Sequence, residues 1–172
     1  PLPKLFEGAK CITDMDTIDP EKWTYAVCEQ GIGDQVLFLG VLRQFLNDYS
    51  KTVLIAEKRF RPILQRSFPE LPVHPYGSGP FLSANSEVVN GYVPIGSFQK
   101  KYRSSKEDFI KNRQIYLNPD QAKLAKFREI LLKKTGADRI VGFSWKGGYW
   151  ERAQKTKTLD IELWDPIFKD QS

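Results

Sequence analysis

Apolar positions in this chain come in short blocks separated by polar stretches that carry glycine or proline. TYAVCEQ at 24–30 is β-branched, aromatic and apolar, the content of a short buried strand. The turn GIGD follows. In 34–49, Val36, Leu37, Phe38, Leu39, Val41, Leu42, Phe45 and Leu46 leave hardly any polar face, which predicts a helix buried between a sheet and another layer. TVLIAE at 52–57 is a continuous apolar run of the kind found in parallel strands covered on both faces. Residues 59–67 read as a short helix closed by Phe68-Pro69, and LPVHPY as a third strand. GSGPFLSANSE has loop composition, VVNGYVPIG reads as a further strand ending at Pro94, and 104–112 as a short helix.

The next helix is well punctuated. Asn118 can cap it, Pro119 suits its first position, Gln121 can return a capping-box bond and Gly136 can close it. Leu124, Phe127, Ile130 and Leu131 recur three and four apart along it. RIVGFSW then reads as a buried strand, KGGYWERAQKTKT as a basic glycine-bearing loop, and 160–169 as a short helix seeded by Ile161, Leu163, Trp164, Ile167 and Phe168. Alternation of strand and helix from residue 24 onward predicts an α/β protein with a Rossmann-like, doubly wound parallel sheet. The expected organisation is an irregular lead-in at 1–23, a Rossmann-like domain at 24–117 and a connecting helix at 118–136. The opening strand, loop and helix of a second, incomplete α/β domain follow at 137–172. The first residue is Pro1 rather than Met, so a trimmed or internal start is expected.

Charge changes the picture more than composition does. The net charge is +5, but residues 96–158 hold 16 Lys and Arg against 6 Asp and Glu, a net of +10. A basic middle between near-neutral flanks fits an anionic partner, or else a solvated lysine-rich helix face. Basic residues interleaved with aromatics also permit nucleic acid, but no nucleic-acid motif is present and that is the weakest of the anionic partners. No apolar run reaches the ~18–20 residues of a membrane span. Cys11 and Cys28 have neither metal-ligand nor redox spacing, so a cytoplasmic setting is expected, including the inner face of the membrane.

The turn at 31–33 is where chemistry concentrates. Strand, Gly31-Ile32-Gly33 and then helix is the order of a ligand-binding turn, in which glycine permits a sharp bend and close approach of a ligand. A dinucleotide fingerprint wants a third small residue at position 36, where Val36 stands, and the carboxylate of Asp34 repels a pyrophosphate. Both argue against NAD or FAD. Asp34 suits a helix start, where the dipole stabilises negative charge, and it could do no more than that. As a functional group it is a candidate general base for a sugar hydroxyl.

EQGIGDQVLFLGVLRQF, with Gly31, Gly33, Asp34 and Arg43, resembles the N-terminal signature of family nine glycosyltransferases. These are the heptosyltransferase-like enzymes and their relatives found behind tetratricopeptide repeats. RSFPELPVHP, YVPIGSFQKKYRSSKEDF, VGFSWKGG and KTKTLDIELWDPIF resemble later segments of the family in the same order, so the resemblance covers most of 25–168. The last segment departs from the usual Arg-Ser-Ile-Pro-Leu by reading Lys157-Thr158-Leu159-Asp160-Ile161. The family implies a two-domain GT-B fold with the acceptor on the N-terminal half, the nucleotide-sugar on the C-terminal half, and inverting, metal-independent transfer. Carried over, Asp34 matches the catalytic base, and Gly31, Gly33 and Gln35 beside it are expected to bind the acceptor substrate. Apart from the resemblance, Lys100, Lys101 and Arg103 could meet an anionic acceptor such as a phosphorylated or acidic glycan, or form a solvated surface run. Ser144, Lys146, Gly147, Gly148, Lys157 and Thr158 match the loop that faces the donor diphosphate, where N–H groups, hydroxyls and cations can stabilise a leaving group.

These readings make the chain part of a glycosyltransferase that moves a sugar from a nucleotide-sugar to a glycan, lipid-linked or protein acceptor, with no cofactor and no metal. The family's Gly-Pro-His donor signature is absent, so a missing C-terminal half-domain is expected and the chain alone is not expected to turn over. A non-catalytic glycan- or phosphate-binding module is the alternative. His74, between Val73 and Pro75, is expected to be structural. Trp145, Tyr149 and Trp150 could stack on a sugar or base, or simply pack.

Overall fold

The strands form as their composition demands. A computed structural model describes residues 9–77, 87–111, 115–136, 141–147, 151, 155 and 158–169. Four short strands, β1 (Trp23–Val27), β2 (Thr52–Ala56), β3 (Val73–Pro75) and β4 (Val89–Pro94), make one all-parallel sheet in the order β3-β2-β1-β4. The register pairs Ala26 with Leu54 and Val93, and Ile55 with His74, whose backbone is thus part of the ladder. Every residue of β2 is buried, as expected for a strand covered on both faces. The chain is an α/β protein with a Rossmann-like sheet flanked by helices.

The predicted helix at 34–49 is two helices. α1 (Ile32–Phe38) and α2 (Leu42–Asp48) are joined by a 3-10 turn at Leu39–Val41. The expectation that this segment is buried all round is corrected: Val36 and Leu37 are exposed, at 40% and 67%. The kink presents Leu39, Val41, Leu42 and Phe45 to the sheet and leaves the first turn facing outward. α3 (Arg61–Ser67) carries its proline in the first turn, where no helical N–H is lost. After β4 a 3-10 turn (Ile95–Ser97) leads into α4 (Phe98–Tyr102), a helix that sequence did not suggest, and then into α5 (Lys106–Lys111).

One sheet face carries the main core, in which Ala26, Cys28, Leu54 and Val93 meet Leu39, Leu42, Phe45, Leu64 and Phe98. Phe45 and Phe98 stack with centroids 4.1 Å apart. The other face carries a smaller cluster of Tyr25, Val27, Val53 and Ile55. The lead-in is more ordered than expected. Cys11 bridges Tyr92 on β4, with Tyr92 N–H donating to Lys10 O at 2.9 Å and Ile12 N–H to Tyr92 O at 2.8 Å. This close approach needs Gly91: its φ is +130°, and a Cβ there would lie 2.2 Å from Lys10 O. Asn90 binds the same lead-in, its amide donating to Asp19 O (2.8 Å), Lys22 O (3.2 Å) and Thr24 Oγ1 (3.1 Å).

The chain divides into two units, 1–121 and 122–172. Helix α6 (Gln121–Thr135) begins two residues later than Asn118 capping requires, with the Asn118 backbone engaged elsewhere. Its N–H donates to Ser67 Oγ at 2.8 Å and its carbonyl accepts from Arg66 Nε at 3.4 Å. Gly136 does close the helix, at φ +65°, its N–H donating to Leu132 O at 2.8 Å. In the second unit the described part of the predicted buried strand, 141–145, is not a strand. Residues 141–147 pair in no sheet among the described residues, and Val141 is 86% exposed. A strand needs a neighbour to satisfy its N–H and C=O groups, and the described part of this unit offers none. Phe143 packs instead on Trp145, Trp164 and Phe168, the last two from a 3-10 turn (Ile161–Trp164) and from α7 (Asp165–Lys169).

Candidate functional site at the carboxyl end of the sheet

In a parallel sheet the connections after each strand gather at one end, and a crevice opens where strand order reverses. Here that place is the carboxyl end of β1, on the side of β4. Gly31 caps α1 and Asp34 is the third residue of that helix, exposed to solvent at this end. A Cβ at position 31 would lie 3.6 Å from Asp34 Oδ2, an ordinary contact, and at position 33 it would meet nothing within 4 Å. Gly31 has φ −61°, and the glycines of positive φ among the described residues are Gly77, Gly91 and Gly136. The sharp bend expected of Gly31 and Gly33 is therefore not their contribution. What they leave is open space in front of the helix start.

At the carboxyl ends of the strands lie groups that sequence did not single out. Glu29 Oε2 accepts the Ile95 N–H at 3.1 Å and Oε1 the Gly96 N–H at 3.3 Å, joining the tail of β1 to the turn after β4. Glu57, at the end of β2, pairs with Arg59. The Tyr76 phenol, after β3, is pushed well above its ordinary pKa by burial first, then by its neighbours Cys28, Glu29 and Glu57. The Cys28 thiol is pushed up by burial and by the charge of Glu29, and stays protonated. The sequence-level signal for this cluster was position: each residue lies at the carboxyl end of a predicted strand.

Gln35, a predicted ligand contact, is 1% exposed and its amide is engaged on both sides. Nε2 donates to Gln30 O at 2.8 Å and Oε1 accepts from Glu57 N–H at 3.3 Å. Lys101 and Arg103 are not brought to Asp34. Lys101 Nζ reaches Asp16 Oδ1 and the Tyr49 hydroxyl, both at 2.9 Å, and Arg103 donates to Gln44 Oε1 at 2.8 Å. Gln44 lies on α2, beyond the 3-10 turn that separates it from the helix of Asp34. Lys100 is exposed beside Lys101 on a cavity of about 430 Å³ lined also by Thr13, Asp14, Met15 and Asp16. Arg43 stacks on Phe68 at 4.9 Å and borders a cavity of about 290 Å³ with Leu46, Ser50 and Pro72, at the amino end of the sheet.

In the second unit, Ser144 and Lys146 are exposed and Gly147 adjoins Thr158, whose Oγ1 donates to Gly147 O at 3.5 Å. Leu159 N–H donates to Trp145 O at 3.2 Å, so 145–147 and 158–159 lie side by side. Trp145 stacks on Phe143 with centroids 5.7 Å apart. Gly148, Tyr149, Trp150 and Lys157 lie outside the described residues.

Among the described residues no three His, Cys, Asp or Glu side chains converge to hold a metal ion, and no helix is long and apolar enough to cross a membrane. No protein-family model and no solved structure matches the chain. Protein FlbA of Caulobacter vibrioides is 27% identical over 152 residues, which cover 81% of this chain and 25% of that protein. The chain thus spans about a quarter of the length of the curated relative it matches.

Proposed function

We propose that the chain belongs to a glycosyltransferase and that its first unit forms the acceptor side of the site. The reaction is transfer of a sugar from a nucleotide-sugar to a hydroxyl of a glycan, lipid-linked or protein acceptor, in the cytoplasm. Asp34 takes the hydroxyl proton as the acceptor oxygen attacks the anomeric carbon. The bond from that carbon to the diphosphate oxygen breaks with inversion, and the diphosphate leaves with the bonding pair. By the family resemblance Lys146, Gly147 and Thr158 of the second unit match residues of a donor-diphosphate loop, and cations and hydroxyls suit the negative charge of a leaving phosphate.

One observation carries this reading: an exposed carboxylate, Asp34, stands at a helix start at the carboxyl end of the central strand, with open space before Gly33. The resemblance of 29–45 and of four later segments to family nine glycosyltransferases supports it from sequence. The test is nucleotide release by the full-length gene product from UDP-, ADP- and GDP-sugars. Release that depends on an added sugar acceptor is expected with at least one donor, and no release with any of them sinks the reading.

A further inference from the structure

The turn that carries Asp34 is tied down from both sides. Toward β2, the Gln35 amide joins Gln30 O (2.8 Å) to Glu57 N–H (3.3 Å). Toward β4, the Glu29 carboxylate takes the N–H groups of Ile95 (3.1 Å) and Gly96 (3.3 Å). β1 lies between those two strands, so the ties oppose each other across the turn. Both are specific in sense. The Gln35 amide can donate to a carbonyl and accept from an N–H in only one orientation, and a carboxylate between two N–H groups makes two charge-assisted bonds. Gly96 leaves the room: a Cβ there would lie 3.0 Å from Glu29 Oε1 and 3.8 Å from the Phe38 ring.

Gln35 also fixes the rotation of α1. Successive helical side chains are about 100° apart around the axis. With Gln35 at 1% exposure and bonded inside, its neighbour Asp34 has to face outward. We infer that Glu29 and Gln35 are positioning residues, which hold the turn at 28–31 between β2 and β4 and so keep Asp34 aimed at the open end of the sheet. The consequence for rate rests on the transfer reading; the brace itself does not.

Two size-preserving variants test it. Glu29→Gln sets an NH2 group against one of the two N–H donors, and Gln35→Glu sets a carboxylate oxygen against Gln30 O. Amide hydrogen exchange in the chain should speed about tenfold at Ile95 and Gly96 in Glu29→Gln, and by a similar factor at Glu57 in Gln35→Glu. In the full-length gene product each should lower kcat about tenfold, with the acceptor KM within about twofold. Unchanged exchange overturns the brace. Faster exchange with unchanged kcat overturns the positioning role and leaves a purely structural tie. Should Gln35→Glu fail to fold, Glu29→Gln decides alone, since Glu29 is only half-buried. An Asp34→Asn variant that keeps its rate removes the transfer reading, and the exchange measurements still judge the brace.

Discussion

Gly33 sits in the first turn of a helix, where alanine is the better residue by about 1 kcal/mol, and the fold places nothing within 4 Å of a Cβ there. Gly33→Ala should therefore leave urea stability unchanged or raise it by up to about 1 kcal/mol. If the open space in front of α1 receives the acceptor, the same methyl group should raise the acceptor KM severalfold. A loss of stability, or an unaltered KM, contradicts this reading of the position. Gly91 shows the opposite case, in which φ +130° and the Lys10 carbonyl both demand glycine. Sequence marked 31 and 33 as the special glycines and passed over 91. Local pattern identifies a turn, whereas the demand on Gly91 comes from a segment some eighty residues earlier folding onto β4. Glu29 escaped notice for the same reason, since its partners at 95 and 96 are remote in sequence.

At the scale of elements, α5 carries a reciprocal capping box. Asp108 N–H donates to Ser105 Oγ at 3.3 Å, and Asp108 Oδ2 accepts from Ser105 N–H at 2.9 Å. These bonds, the Ser105 N–H first, hold the Asp108 carboxyl below its usual pKa. A depressed folded pKa contributes stability above the unfolded value and loses it as pH falls through the folded one. Helix signals of 106–111, read as NMR shifts, should weaken on acidification through that lowered pKa, and in Asp108→Asn the acid-dependent part should disappear. Persistence of the full pH dependence in that variant would assign it to another group. The four strands fell within a few residues of where apolar blocks placed them, because each block is short and bounded by turn residues. The helix break at 39–41 was hidden by an unbroken apolar run. The start of α6 was misplaced because Asn118, a good cap by type, is held by Ser67 and Arg66.

At the scale of the molecule, the parallel sheet was legible from alternation alone, since crossover helices follow from parallel strands. The basic charge of 96–158 was legible too, but its distribution was not. Lys101 and Arg103, adjacent in sequence to a motif, are spent on Asp16, Tyr49 and Gln44, because α4 runs from the crevice back along α2. In the second unit the apolar stripe Leu124, Phe127, Ile130 and Leu131 was read correctly from its spacing and lies exposed, so periodicity found the face and not its contact. The functional account rests on the first unit and on one side chain in it. The most direct test compares wild type and Asp34→Asn in the full-length gene product, measuring kcat for sugar transfer and acceptor Kd on the same preparation. The account predicts a fall in kcat of about 10²–10⁴-fold with Kd nearly unchanged. A variant that transfers sugar at the wild-type rate would contradict it.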